Sequence, residues 1–65
     1  MEVTVRIPTD RTEQLTIEEE TYGGLLERVG LSPQEATVLV EGTPVALDQH
    51  VEAEEVTVLR LIAGG

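Results

Sequence analysis

Val3, Val5 and Ile7 alternate with Glu2, Thr4 and Arg6, the period-two pattern of a half-buried strand. Pro8-Thr9-Asp10-Arg11-Thr12 carries turn chemistry. Leu15 and Ile17 then alternate with Gln14, Thr16 and Glu18, which predicts a second strand able to pair with the first as a hairpin. Glu18-Glu19-Glu20 closes that strand with like charges that favour water.

The period then changes. Tyr22, Leu25, Leu26 and Val29 stand at i, i+3, i+4 and i+7, one apolar stripe on a short helix. Thr21 precedes it as a side-chain oxygen for the N-cap. Gly23 and Gly24 weaken the first turn, and they allow the helix to sit close to a sheet. Gly30 falls where a left-handed residue ends a helix, with Leu31 as the apolar residue folding back. Ser32-Pro33-Gln34-Glu35 has capping-box spacing with Pro at the first position and predicts a single turn.

Ala36-Thr37-Val38-Leu39-Val40 is a third strand, Glu41-Gly42 a turn pair and Thr43-Pro44-Val45 a short fourth strand. Pro44 cannot donate to a ladder, which places that strand at an edge. Ala46 to Glu55 is a polar connection holding Leu47 and Val51, and Val56 to Ile62 is the fifth strand. The element order is β-β-α-β-β-β. Alternation also assigns faces: with Val38, Val40, Val56 and Val58 turned to the helix, Leu39, Thr57, Leu59 and Leu61 face the other way. Leu39 and Leu59 then form an exposed apolar cluster of the kind that marks a docking surface; isolated surface leucines are the bland reading.

Composition narrows the chemistry. Sixty-five residues make one domain with a thin core. Without cysteine there is no disulfide, no thiolate ligand and no sulfur nucleophile. No run approaches the ~20 apolar residues of a membrane span, and Met1 leads straight into a strand pattern without a basic leader. The expectation is a cytoplasmic chain. Thirteen carboxylates against four arginines give a net charge of −9, which opposes direct binding to nucleic-acid phosphates. The acidic residues are spread along the sequence, as in an adaptation to high salt, where the Debye length falls to about 3 Å. An acidic protein of an ordinary cytoplasm is the plainer alternative.

Other groups carry less. His50 with Asp48 and Glu52 has loop spacing too short to suggest a metal site and reads as a surface histidine. Consecutive Glu18, Glu19 and Glu20 cannot converge on one cation, and read as a solvated charge run. Gly23-Gly24 lacks the Lys and the spacing of a phosphate loop. One histidine and no cysteine leave little for an enzyme to work with.

The end of the chain is different. Val58-Leu59-Arg60-Leu61-Ile62-Ala63-Gly64-Gly65 is an apolar extended run stopping on two glycines, flexible and without side-chain bulk. If Gly65 is the native terminus, its α-carboxylate is the reactive group on offer. Five strands, one helix and this terminal run together resemble a ubiquitin-like β-grasp protein. The set Leu31-Ser32-Pro33, Thr37-Val38-Leu39-Val40, Asp48-Gln49, Val58-Leu59-Arg60-Leu61-Ile62 and Gly64-Gly65 resembles the small archaeal modifier proteins, in their ubiquitin-related-modifier-like branch.

That resemblance implies an α+β fold with a mixed sheet, the first and last strands parallel at its centre, and one helix packed on one face. It implies a domain over residues 1–62 and a flexible Ala-Gly-Gly tail over 63–65. It also implies a protein modifier and sulfur carrier, not an enzyme, needing no cofactor of its own and acting as a monomer. An E1-like enzyme, using ATP and magnesium, would adenylate Gly65. The acyl group would then pass to a target-protein lysine as an isopeptide, or become a thiocarboxylate for tRNA thiolation. Gly64 and Ala63 would thread the enzyme's slot, and Leu39, Leu59, Arg60, Leu61 and Ile62 would meet partners. A JAMM-type protease would remove the conjugates. Arg60 could pair with an acidic site on the activating enzyme or simply face water.

The chain departs from the pattern in having no lysine, Ala63 standing where some relatives carry one. Chains of modifier could therefore grow only on the Met1 amine. Two alternatives stay open: a dedicated sulfur carrier for molybdopterin or thiamine synthesis, and a non-covalent β-grasp binding module.

Overall fold

The computed structural model describes residues 1–8 and 10–61. Strands β1 (Glu2–Ile7) and β2 (Arg11–Thr16) form an antiparallel hairpin in register from Glu2 opposite Thr16 to Ile7 opposite Arg11. β2 starts earlier than the alternation of Leu15 and Ile17 suggests. Arg11 and Thr12 pair with β1 instead of extending the turn, because Asp10 N–H already closes back on the Ile7 carbonyl at 3.0 Å. Helix α1 (Tyr22–Arg28) follows, then β3 (Ala36–Val40), β4 (Thr43–Pro44) and β5 (Glu55–Arg60).

The sheet order is β2-β1-β5-β3-β4, with β1 and β5 parallel and the other neighbours antiparallel. β4, with its proline, is an edge, as the missing N–H requires. This is the mixed sheet with one helix on one face that the family resemblance implies, an α+β β-grasp.

One face of the sheet and the stripe of α1 make the core. Val3, Val5, Ile7, Ala36, Val38, Val56 and Val58 lie against Tyr22, Leu25, Leu26 and Val29, with Ile17 and Val51 closing the ends. Among the described residues no polar or charged side chain is buried. The core therefore holds mainly by apolar burial, with the Tyr22 hydroxyl accepting from Glu52 N–H at 3.4 Å.

Both helix ends are closed. Thr21 Oγ1 accepts from Gly24 N–H at 3.1 Å, and the N–H groups of Tyr22 and Gly23 donate to the carbonyls of Gln49 and Leu47 at 3.1 and 2.8 Å. The glycine pair is explained by these neighbours and not by the sheet. A Cβ on Gly24 would stand 2.8 Å from Glu20 Cγ, and one on Gly23 would stand 3.1 Å from the Leu47 carbonyl. At the other end Gly30, at φ 82°, lets Leu31 N–H reach the Leu26 carbonyl at 2.9 Å while its own N–H meets Glu27 at 3.1 Å. These two bonds satisfy the Leu26 and Glu27 carbonyls in the last turn of the helix.

The acidic run after β2 is not wholly solvated. Glu20 is forked by Arg28 through Nε and Nη2, its side chain only 17% exposed. The hydrogen bond from Arg28 is the main reason the Glu20 carboxyl titrates below its ordinary value, and desolvation opposes it. The same bond raises Arg28 above its ordinary value.

Candidate functional site

The site begins with β5, the central strand, because its far end leads to the last residues of the chain. Pairing of Val38 with Val58 and of Thr37 with Leu59 fixes which residues turn inward. Val56 and Val58 face α1 and are sealed; Thr57 and Leu59 face the opposite, uncovered side of the sheet. Leu59 is 39% exposed and Leu61, just past the strand, is 61% exposed. Leu39 lies on the same side, opposite Thr57 on β5 and Pro44 on β4, and is half-buried. Leu39 and Leu59 are thus diagonal neighbours, close enough for their side chains to share one patch.

This apolar patch occupies one half of the open face. The other half, on β1 and β2, carries Glu2, Thr4 and Arg6 opposite Thr16, Gln14 and Thr12. Arg6 also pairs with Glu55 at 2.6 Å, marking the boundary between the halves.

Arg60 is the next element of the site. Opposite Ala36 in the ladder, it stands on the helix side of the strand end and is exposed. Arg6, Arg11 and Arg28 are all engaged in ion pairs, whereas Arg60 has none among the described residues. Among the described residues it is a cation without a carboxylate partner, at the end of β5. β5 stops at Arg60, two residues before the strand end expected from the apolar run. Leu61 keeps one sheet-like bond, its N–H donating to the Glu35 carbonyl at 2.8 Å. Ile62, Ala63, Gly64 and Gly65, to which partner contact, threading and activation are assigned above, lie outside the described residues.

The remaining candidates stay apart. His50 is exposed and bridges Thr21 at the start of α1, and among the described residues no three His, Asp or Glu groups are arranged to hold a metal. Surface concavities lie elsewhere: one lined by Thr16, Glu18, Glu19, Glu20 and Arg28, another by Arg6, Glu41, Glu52, Glu54 and Glu55 among others. Neither includes Leu39, Leu59, Arg60 or Leu61. No helix among the described residues is long and apolar enough to cross a membrane.

Sequence reasoning missed two residues of this region. Pro44 extends the patch beside Leu39, a neighbour revealed only by the register. Glu35, legible as part of a capping box, also supplies the acceptor for Leu61; nothing local in the sequence signals that long-range bond.

Comparison with known proteins bears on the family and the fold. The family model described as "Small archaeal modifier protein 2" matches residues 1–62. A curated relative of that name from Haloferax volcanii is 48% identical over 66 residues, covering 100% of both chains. An uncharacterized protein of Archaeoglobus fulgidus is 33% identical over 52 residues, covering 80% of this chain and 78% of its own. Among solved structures, the NMR structure of a computationally designed protein based on human erythrocytic ubiquitin superposes with a TM-score of 0.69 at 21% identity. The match covers 98% of this chain and 95% of that one, and shows the shared fold. The chain belongs to the small archaeal modifier protein 2 family and is a ubiquitin-like modifier.

Proposed function

We propose that the chain acts through the carboxylate of Gly65, delivered by a tail over 63–65 from a body over 1–62. A carboxylate is a poor electrophile. Attack of its oxygen on the α-phosphorus of ATP, in an E1-like enzyme, releases pyrophosphate and leaves an acyl-adenylate. A target lysine amine then displaces AMP to form an isopeptide bond. Alternatively, hydrosulfide supplied by a partner displaces AMP and leaves a thiocarboxylate, which donates sulfur for tRNA thiolation. The chain has no cysteine, so the sulfur comes from outside. In this reading the modifier is a co-substrate and the activating enzyme supplies the catalysis.

The observation that carries this reading is the placement of Leu59, Leu61 and Arg60. Two exposed leucines, and a cation without an ion pair among the described residues, stand at the end of β5, a few positions before Gly64-Gly65 in the sequence. The body thus has a surface for a partner to grip close in sequence to the group to be activated. Leu39, Leu59 and Leu61 are the apolar grip, Ile62 continues it, and Arg60 meets an acidic site.

The test is incubation with an E1-like enzyme, ATP and magnesium, followed by intact-mass analysis. AMP attached at Gly65 is expected, and in cells a species in which sulfur replaces one oxygen of the terminal carboxyl. Deleting Gly65 is expected to abolish conjugates and tRNA thiolation together. Conjugates that survive the deletion would refute the mechanism. Normal activity after extension beyond Gly65 would favour a non-covalent module.

A further inference from the structure

The bond between Leu61 and Glu35 sits at an unusual point in the ladder. Ala36 opposes Arg60, so the same register places Glu35 opposite Leu61. An antiparallel hydrogen-bonded pair normally exchanges two bonds. Here Leu61 N–H donates to the Glu35 carbonyl at 2.8 Å, but Glu35 N–H turns away and donates to the Ser32 carbonyl at 3.1 Å. The next ladder donor position back along this edge is Pro33, which has no N–H. The Ser32–Glu35 turn therefore supplies one last acceptor and withholds the donors that would extend pairing.

The turn is itself held. Glu35 Oε1 accepts from Ser32 N–H at 3.1 Å, and Ala36 N–H donates to the Ser32 carbonyl at 3.1 Å. Ser32 follows Leu31, whose N–H is bonded to the end of α1 and whose side chain packs on the core. A continuous set of bonds thus runs from the helix end, through the Glu35 carboxylate, to Leu61.

We propose that Glu35 is a positioning residue for C-terminal activation, its carboxylate locking the turn whose carbonyl pins Leu61. This inference rests on the activation of Gly65 proposed above. Pinning Leu61 fixes the origin from which only four residues, Ile62 to Gly65, reach the enzyme's nucleotide. Fully extended, four residues span at most about 14 Å. With so short a reach, the position of Leu61 determines whether a body docked through Leu39 and Leu59 presents its carboxylate in the right place. Without the lock, one further residue must be ordered on binding.

The experiment compares wild type, Glu35→Ala and Glu35→Gln in two measurements. The first is ATP–pyrophosphate exchange by the E1-like enzyme at varied modifier concentration. The second is backbone amide exchange of the free proteins. Glu35→Ala should raise the KM for the modifier about 5- to 30-fold, the equivalent of fixing one more residue's backbone. The kcat should not change. Leu61 N–H should exchange faster, while Thr57 N–H at the strand centre keeps its protection. Glu35→Gln retains the acceptor oxygen and should restore both readouts. An unchanged KM despite faster Leu61 exchange overturns the proposal, as does unchanged Leu61 exchange or a Gln variant no better than Ala. Should Thr57 also lose protection in the Ala variant, Glu35→Asp keeps the charge, shortens the reach and should show the same KM rise; a wild-type KM then overturns the proposal. If wild type itself supports no exchange, the activation reading has failed, and a Leu61 amide indifferent to Glu35 would separately remove the lock.

Discussion

Along β5, neighbouring residues live in opposite surroundings. Val56 and Val58 are 1% and 0% exposed beneath α1, while Leu59 and Leu61 stand 39% and 61% open on the other face. The first pair is explained by folding: a domain this small holds together only if its covered face is wholly apolar. The second pair has no such explanation among the described residues. On the same open face, β1 and β2 present Glu2, Thr4, Arg6, Thr12, Gln14 and Thr16, the side chains expected against water. A sheet that can keep half its open face polar does not need leucines on the other half for stability. The difference separates residues that serve the fold from residues free to serve a partner.

The comparison can be broken from its strong side first. Leu26→Ala on the covered side should destabilise by about 2–5 kcal/mol, the range for truncating a buried leucine, read by urea denaturation. A loss below 1 kcal/mol would mean that the core does not carry the fold. Next in size is the effect of salt on the acidic exterior. Ion pairs engage Arg6, Arg11 and Arg28, leaving most of the thirteen carboxylates uncompensated. Moving from dilute buffer to molar KCl should raise Tm by at least about 5 °C, the shift that roughly 1 kcal/mol gives in a domain this size. A flat melting temperature would remove the repulsion argument.

Smaller effects test the rims. Glu41 holds φ 52° in the two-residue turn before Gly42 at φ 80°, a left-handed pair that favours Asn at its first position. Glu41→Asn should stabilise by about 0.5–1 kcal/mol; no gain would show the strain to be relieved elsewhere. Glu20→Gln should cost less than about 1 kcal/mol at neutral pH, since the pair with Arg28 lies at the surface. Because the folded Glu20 titrates below the unfolded value of about 4.3, its contribution is complete above that pH and is lost as pH falls through the folded value. The two proteins should converge in stability in acid, and a gap that persists there would assign the effect to packing. Smallest for stability is Leu59→Thr, within about 0.5 kcal/mol as for an ordinary surface change, while pyrophosphate exchange should show a KM raised at least about tenfold. A stability loss matching that of Leu26→Ala would return Leu59 to the core and erase the distinction between the faces.

Much of this was legible without coordinates. The alternation of Val3, Val5 and Ile7, the stripe from Tyr22 to Val29, the Thr21 cap and the Gly30 stop are local signals, and each corresponds to an observed element. The open-face leucines were legible too, since alternation alone assigns Leu39 and Leu59 to one side. Less legible were the limits of strands. β2 gained Arg11 and Thr12 through pairing with β1, and β5 ended at Arg60 because its partner edge turned away at Ser32–Glu35. Glu20 likewise looked like part of a solvated run until Arg28 came to it from a turn of helix eight residues on.

The sequence by itself determined what repeats within a few residues: strand and helix periods, caps, the faces of side chains, and an apolar run followed by two glycines. Burial preference acts residue by residue, so its pattern is written directly in the chain. The tertiary structure decided what depends on register. Only the antiparallel pairing of β3 with β5 brings Leu39 beside Leu59 and sets the Glu35 carbonyl against Leu61 N–H. Those contacts join residues twenty and more positions apart, and backbone hydrogen bonds carry no side-chain signature that would announce them.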